Sequence, residues 1–205
     1  MCGRFYVPED DGDEWIAKAV EGAEARAAGM NEGPVARGEV FPTQTVAALA
    51  PDKRGQPGAF PMRWGFVLEN GRRLINTRSE TAAEKPLFRD SYRLRRCLVP
   101  AAWYYEWERR TGPDGKPVSR RYALKAHGSG PWLLAGIYRF EPGQRLPALS
   151  ILTRAAAPEI TFIHDRMPVI CPADQLDRWL DQTADPRWLS EAPQGMVFQP
   201  GGSLK

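Results

Sequence analysis

The chain is poor in the residues that build metal centres and disulfide frameworks. Among 205 residues there are three cysteines, Cys2, Cys97 and Cys171, and two histidines, His127 and His164. An odd number of thiols with no CxxC or CxxxC spacing is poor material for a disulfide scaffold or a structural zinc site. No metal and no organic cofactor is expected. Long apolar runs are missing as well: the longest is a few residues, against roughly 20 needed to cross a bilayer, so no membrane partner is expected. The start, Met1-Cys2-Gly3-Arg4-Phe5, lacks the apolar segment of a secretory signal. That absence points to a reducing cytoplasm, beside the nucleoid in a bacterium, and to cysteines that are free thiols. A large charge of one sign is absent too. The 28 Lys and Arg against 25 Asp and Glu leave a net +3, a mild bias compatible with a polyanion and equally common among proteins that bind none.

What is abundant is Gly and Pro, 19 of each, above the roughly 12 % of average usage, so the fold must be rich in turns. Apolar residues at 42 % and charged residues at 26 % exclude a disordered or fibrous chain, and the length suits a single domain over residues 1–205. Trp15, Ile16, Ala19, Val20 and Ala23 recur at helical spacing, which predicts an amphipathic helix over 13–28 that Gly29 and Gly33-Pro34 end. A short strand is expected at 46–50, followed by a polar turn region over 51–58. Residues 62–68 and 73–75 flank Asn70-Gly71 and read as a hairpin. Residues 79–85 open a helix that Pro86 stops or bends, and 88–94 continue it. Beyond that, 97–99, 103–108, 121–125, 132–140 and 146–153 are rich in aromatic and branched residues between turns and read as strands; 173–180 returns to helical spacing. The expected class is α+β: one compact, β-rich domain with a curved, barrel-like, mainly antiparallel sheet and flanking helices.

Four segments carry candidate chemistry. If Met1 is removed, Cys2 presents an α-amine and a thiol on one residue; the amine, with a pKa of about 7.7–8.0, attacks an aldehyde and the thiol closes on the imine as a five-membered thiazolidine. The competing view is that a cysteine at position 2 is chance. Glu106 lies among aromatics in Trp103-Tyr104-Tyr105-Glu106-Trp107, where desolvation suits a carboxylate to acid–base work. Strand alternation equally allows it to face water while Tyr105 and Trp107 fill the core. His164, beside Asp165 and Arg166, is a proton carrier or a structural histidine, whereas His127 sits in a Gly-rich turn and reads as exposed. Asn76 positions a polar group and Arg78 holds a phosphate by forked hydrogen bonds, or Asn76, Thr77 and Ser79 simply cap a helix that has Glu80 in its first turn. Arg4 and other arginines add cations. Trp64 and Phe66 offer flat surfaces for stacking bases.

Taken together, Met1-Cys2-Gly3-Arg4-Phe5, Pro42-Thr43-Gln44, Met62-Arg63-Trp64-Gly65-Phe66, Asn76-Thr77-Arg78-Ser79-Glu80, Cys97-Leu98-Val99-Pro100, Tyr105-Glu106-Trp107 and His164-Asp165-Arg166-Met167-Pro168 resemble the SOS-response-associated peptidase (SRAP) family. Its members shield abasic sites in single-stranded DNA. The resemblance spans nearly the whole chain in the family's order. It implies a β-rich domain in which Cys2, exposed by loss of Met1, attaches covalently to ring-opened deoxyribose, with Asn76, Glu106 and His164 at active-site positions. It likewise implies that Arg4 and Arg78 contact DNA phosphate, that Trp64 and Phe66 lie beside the nucleic acid, and that the partner is single-stranded DNA containing abasic sites, met by a monomer. Trp103 departs from the pattern where Gly is common, and Glu39 adds negative charge near the expected DNA path. Two rival activities stay open: a thiol hydrolase with Cys2 attacking an amide, and a non-covalent single-strand binder.

Overall fold

The computed structural model describes residues 2–10, 13–128, 132–190 and 195–201. In chain order the elements are β1 (Arg4–Val7), α1 (Glu14–Gly29), β2 (Gly38–Val40), β3 (Thr45–Pro51), β4 (Pro57–Trp64), β5 (Phe66–Val67), β6 (Arg73–Leu74), β7 (Asn76–Arg78), α2 (Ser79–Ala82), α3 (Pro86–Leu94), β8 (Arg96–Ala101), β9 (Trp103–Thr111), β10 (Pro117–Ala126), β11 (Trp132–Arg139), β12 (Ala148–Ala155), β13 (Arg166–Pro168), β14 (Ile170–Cys171), α4 (Leu176–Leu180) and β15 (Met196–Pro200). One sheet has the order β15-β10-β9-β1-β2. A second runs β13-β12-β4-β3-β8-β11-β14, and a further β11–β12 pairing closes β12, β4, β3, β8 and β11 into a ring. Every ladder is antiparallel except those of β12 with β4 and with β7. The α+β, barrel-like expectation therefore holds.

Most ring strands are buried on both faces, which is why they read as continuous apolar runs rather than alternating ones: β8 is buried along its whole length, as are residues 148–153 of β12, whereas β4 is only partly covered. Cys2, Phe5, Val46, Met62, Trp64 and Ile151 belong to one core cluster; Leu49, Phe66, Leu98, Leu152 and Trp179 belong to a second. Helix α1 begins where Asp13 accepts hydrogen bonds from the backbone N–H groups of Trp15 and Ile16, both at 3.1 Å, and it buries Ile16, Ala19, Val20, Ala23 and Ala27. It closes with Asn31, not a glycine, in the left-handed region at φ 55°, while Glu32 N–H reaches back to Ala27 O.

Several expectations shift. The strand expected over 62–68 is broken at Gly65, whose φ of +117° is closed to L side chains; β4 ends before it and β5 begins after it. The hairpin exists between β5 and β6, with Phe66 opposite Leu74. Its turn closes through Leu68 N–H to Arg72 O and places Gly71 at φ +77°. Pro86 does not bend one helix but opens a second at its first turn, where a missing N–H is harmless. Residues 51–58 are turn only at their centre, because β3 and β4 pair out to Pro51 opposite Pro57. Residues 173–180 divide into a 3-10 turn and α4.

Arg96 is a buried cation that knits these layers together. Its guanidinium donates to the carbonyls of Trp179, Tyr92 and Arg93 at 2.8, 3.1 and 2.9 Å, and to that of Asp181. Arg96→Met removes the donors and strands several buried acceptors, each worth about 1–3 kcal/mol when left unsatisfied. A loss of about 3 kcal/mol or more in a urea unfolding curve is expected, and Arg96→Lys should recover little because an ammonium lacks the planar fork.

Candidate active site

Strand β1 delivers the N-terminal segment into the five-stranded sheet, between β2 and β9. Arg4 pairs with Tyr105 and Phe5 with Tyr104, so the chain just before β1 runs beside Glu106. Period-two alternation sorts β9 into two faces. Tyr104, Glu106 and Glu108 point one way and Trp103, Tyr105 and Trp107 the other. Glu106 is 4 % exposed, so the arrangement with its carboxylate in water is excluded. Trp107 is half-buried, and Tyr105 fills a separate small cluster with Trp103 and Tyr6.

Cys2 is fully buried, and its Sγ lies 3.7 Å from Arg4 O. Burial first, and the nearby Glu106 carboxylate second, push the thiol far above its ordinary range, so it is held protonated at neutral pH. Asn76 comes from β7, set beside β12 by the Ile151–Asn76 register, and its Nδ2 donates to Cys2 O at 2.9 Å. Its buried Oδ1 makes no hydrogen bond among the described residues. Capping does not account for this segment: among the described residues α2 has no side-chain cap and Ser79 Oγ makes no hydrogen bond, and Thr77 Oγ1 meets Ser150 Oγ at 2.8 Å. Helix capping is thus displaced by a contact to Cys2.

His164 Nδ1 accepts from the Arg166 backbone N–H at 3.0 Å, which puts the proton of the neutral ring on Nε2. The same nitrogen lies 2.8 Å from Asp165 Oδ1, an ion pair only when the ring is charged. The Arg166 side chain is engaged elsewhere, in a fork to Glu80 at 2.6 and 2.8 Å, and its bonds lower the Glu80 carboxyl below its usual range. Glu106 and His164 line one cleft of about 520 Å³ together with Trp107, Arg109, Ser119 and Phe162.

The basic residues divide. Arg4 stacks on Phe41 and Trp107, 4.5 and 5.1 Å from the ring centroids, and pairs with Glu39 at 2.9 Å; Glu39 also takes Arg121 at 3.1 Å. Arg78 is exposed and makes no ion pair among the described residues. Trp64 and Phe66 are corrections: both are fully buried, Trp64 donating its indole N–H to Ile75 O at 3.0 Å and Phe66 supporting Arg139 at 4.5 Å. Neither presents a face on which a base can stack. Tyr104 escapes a sequence reading. Its phenol is buried, makes no hydrogen bond among the described residues, and is pushed well above its ordinary range by burial and then by Cys2 and Glu106. The signal that finds it is its place two residues before Glu106, on the same strand face.

Among the described residues no group of three His, Cys, Asp or Glu is placed to hold a metal ion, and no helix is long and apolar enough to cross a membrane. All three cysteines are buried, with Cys171 pushed up to about 12. Folded protein at pH 8 should therefore alkylate with iodoacetamide at least tenfold more slowly than the same chain in urea, as peptide mass spectrometry would read.

A model of the SOS response associated peptidase (SRAP) family matches residues 1–200. The chain belongs to the SRAP family. It is 35 % identical over 161 residues to the abasic site processing protein YobE of Bacillus subtilis, covering 73 % of this chain and 71 % of YobE. Against the abasic site processing protein YedK of Escherichia coli it is 27 % identical over 201 residues, 96 % of this chain and 87 % of YedK. In fold it is similar to a crystal structure of a protein from Bacteroides thetaiotaomicron, with a TM-score of 0.75 at 19 % identity over 97 % of this chain and 91 % of that one. A Bordetella bronchiseptica protein superposes with a TM-score of 0.73 at 20 % identity, covering 98 % of this chain and all of that one. In this SRAP chain, then, Cys2, Asn76 and Glu106 converge from the N-terminal segment, β7 and β9, and His164 shares the Glu106 cleft.

Proposed function

We propose that this SRAP chain acts on abasic sites in single-stranded DNA and captures them covalently through Cys2 after Met1 is lost. Relatives that carry the name abasic site processing protein support the substrate. The chemistry is supported above all by the Asn76 amide, held on the Cys2 carbonyl at 2.9 Å beside the Glu106 carboxylate that perturbs the thiol.

Ring-opened deoxyribose supplies an aldehyde. The Cys2 α-amine adds to it, forming a C–N bond and a carbinolamine. Loss of the hydroxyl as water leaves an imine, and Sγ then adds to the imine carbon while its proton passes to nitrogen, closing a thiazolidine. Atoms balance with one water released and no change of oxidation state. Because burial holds Sγ protonated, the amine leads and the thiol follows. Glu106 takes the proton from the amine and returns it to the departing hydroxyl. His164 moves the protons that open the closed sugar, and the Asn76 Oδ1 acceptor orients the amine. Holding the sugar against the N-terminus makes the condensation effectively intramolecular, where effective molarities of about 10⁵ M or more are attainable. Arg4 and Arg78 receive the flanking phosphates.

Mature protein incubated with a single-stranded oligonucleotide bearing one abasic site should give a slow-migrating band on a denaturing gel, and intact mass should show Met1 absent. No such band, with affinity for intact and abasic strands equal and steeply salt-dependent, would leave a non-covalent binder. Release of Met1 by purified protein with no aminopeptidase present, lost in Glu106→Gln, would favour the thiol hydrolase instead.

A further inference from the structure

The loop that carries His164 also carries a large apolar side chain that the fold leaves outside. Residues 158–160 form a 3-10 turn, and Ile163 N–H and His164 N–H both return to Ile160 O, at 2.9 and 3.3 Å. Ile160 and Ile163, three residues apart, anchor the loop in the core, and this turns Phe162 outward to 46 % exposure. Phe162 is braced there. Its ring meets Phe198 of β15, itself 38 % exposed, at 5.3 Å, and Tyr122 of β10 edge-on at 5.8 Å. Glu159 accepts the Met196 backbone N–H at 3.1 Å, tying β15 to the same loop. Three elements thus hold a phenyl ring rigidly in water, at the edge of the cleft that contains Glu106 and His164.

A sugar without a base has no flat apolar surface to offer such a ring, but its neighbour in the strand does. Where a base is missing, the adjacent base has lost a stacking partner on one side, and an aromatic side chain at the lesion replaces it. We propose that Phe162, backed by Phe198, is the stacking surface for the nucleobase next to the abasic sugar. It makes the site select a lesion within a base-bearing strand over a run of baseless nucleotides. This rests on the abasic-site reading above. Any base presents a π face, so the preference is for a neighbouring base and not for its identity; Arg109, exposed in the same cleft, suits the phosphate between the two.

The test avoids the covalent step. The probe is an oligonucleotide whose lesion is tetrahydrofuran, an abasic analogue with no aldehyde, flanked by 2-aminopurine on one side or the other. A second probe carries tetrahydrofuran at the flanking positions too. Wild-type protein should quench the 2-aminopurine on one side and bind the base-bearing strand more tightly. Phe162→Ala should lose the quench and weaken that binding roughly 10- to 100-fold, leave the baseless strand unchanged, and keep the wild-type melting temperature; Phe162→Trp should restore both signals. Equal loss on both strands, no loss on either, or a wild type indifferent to the neighbouring base would overturn the proposal. Since neither probe can form an imine, absence of covalent capture in the gel assay would leave this result standing, and failure here would leave that assay untouched.

Discussion

Replacing Cys2 with alanine should reduce the heat-stable DNA adduct to background while leaving a borohydride-trappable one. The two outcomes separate the two nucleophiles of one residue. Alanine and serine at position 2 are both small, so removal of Met1 is retained and the α-amine still reaches the aldehyde. An imine forms, reduction fixes it, and a covalent band appears only when borohydride is present. Without Sγ nothing closes the ring, and the imine hydrolyses on denaturation. Cys2→Ser is the sharper variant, because its hydroxyl occupies nearly the position of a thiol that is fully buried but is a much weaker nucleophile toward the imine. A stable adduct undiminished in either variant would remove the Cys2 thiol from the chemistry. A variant that gives no adduct even with borohydride would show that position 2 contributes more than its thiol, and intact mass would reveal whether Met1 had been kept.

How much of this was legible beforehand depended on the range of the interactions involved. The helix over residues 14–29 is written locally in its apolar spacing, though its Asp13 cap is seen only in the structure. The strands β9 to β12 are visible because each runs for eight or more residues and carries aromatic or branched side chains, whereas of β8 only 97–99 could be read. By contrast β1, β2, β13 and β14 span two to four residues, too few for a period-two pattern. They exist because distant partners meet them, as Phe5 meets Val40. The same limit governs the site. Cys2, Asn76, Glu106 and His164 were identifiable as residue types, but their convergence depends on registers between elements far apart in sequence. Trp64 and Phe66, beside Arg63, looked like a stacking surface, since a sequence does not say which face of a strand is covered; the ring of strands covers both. Phe162 is the reverse case, an ordinary phenylalanine until Ile160 and Ile163 turn it outward. Glu39, which reads as a repulsive charge near DNA, instead spaces Arg4 and Arg121.

Glu106→Gln is expected to slow covalent capture by about 10² to 10⁴, the usual contribution of a positioned acid–base group, while oligonucleotide affinity stays within about twofold. The amide keeps the volume and most of the polarity of a side chain 4 % exposed, so the fold should persist and single-turnover rates at saturating DNA can be compared directly. The same substitution has a second effect of opposite sign. The Glu106 carboxylate helps to hold the Cys2 thiol above its ordinary range; removing that charge lowers the thiol's pKa and enlarges its thiolate fraction at a given pH. Alkylation of Cys2 by iodoacetamide should therefore quicken, by a few-fold because burial is the larger cause, in the very variant whose DNA capture collapses. Were thiolate attack the limiting step, as in a thiol hydrolase, both rates would rise together. Opposite movement identifies proton transfer around the amine as the controlling event, and it assigns Glu106 to the amine and the departing water rather than to activation of the sulfur.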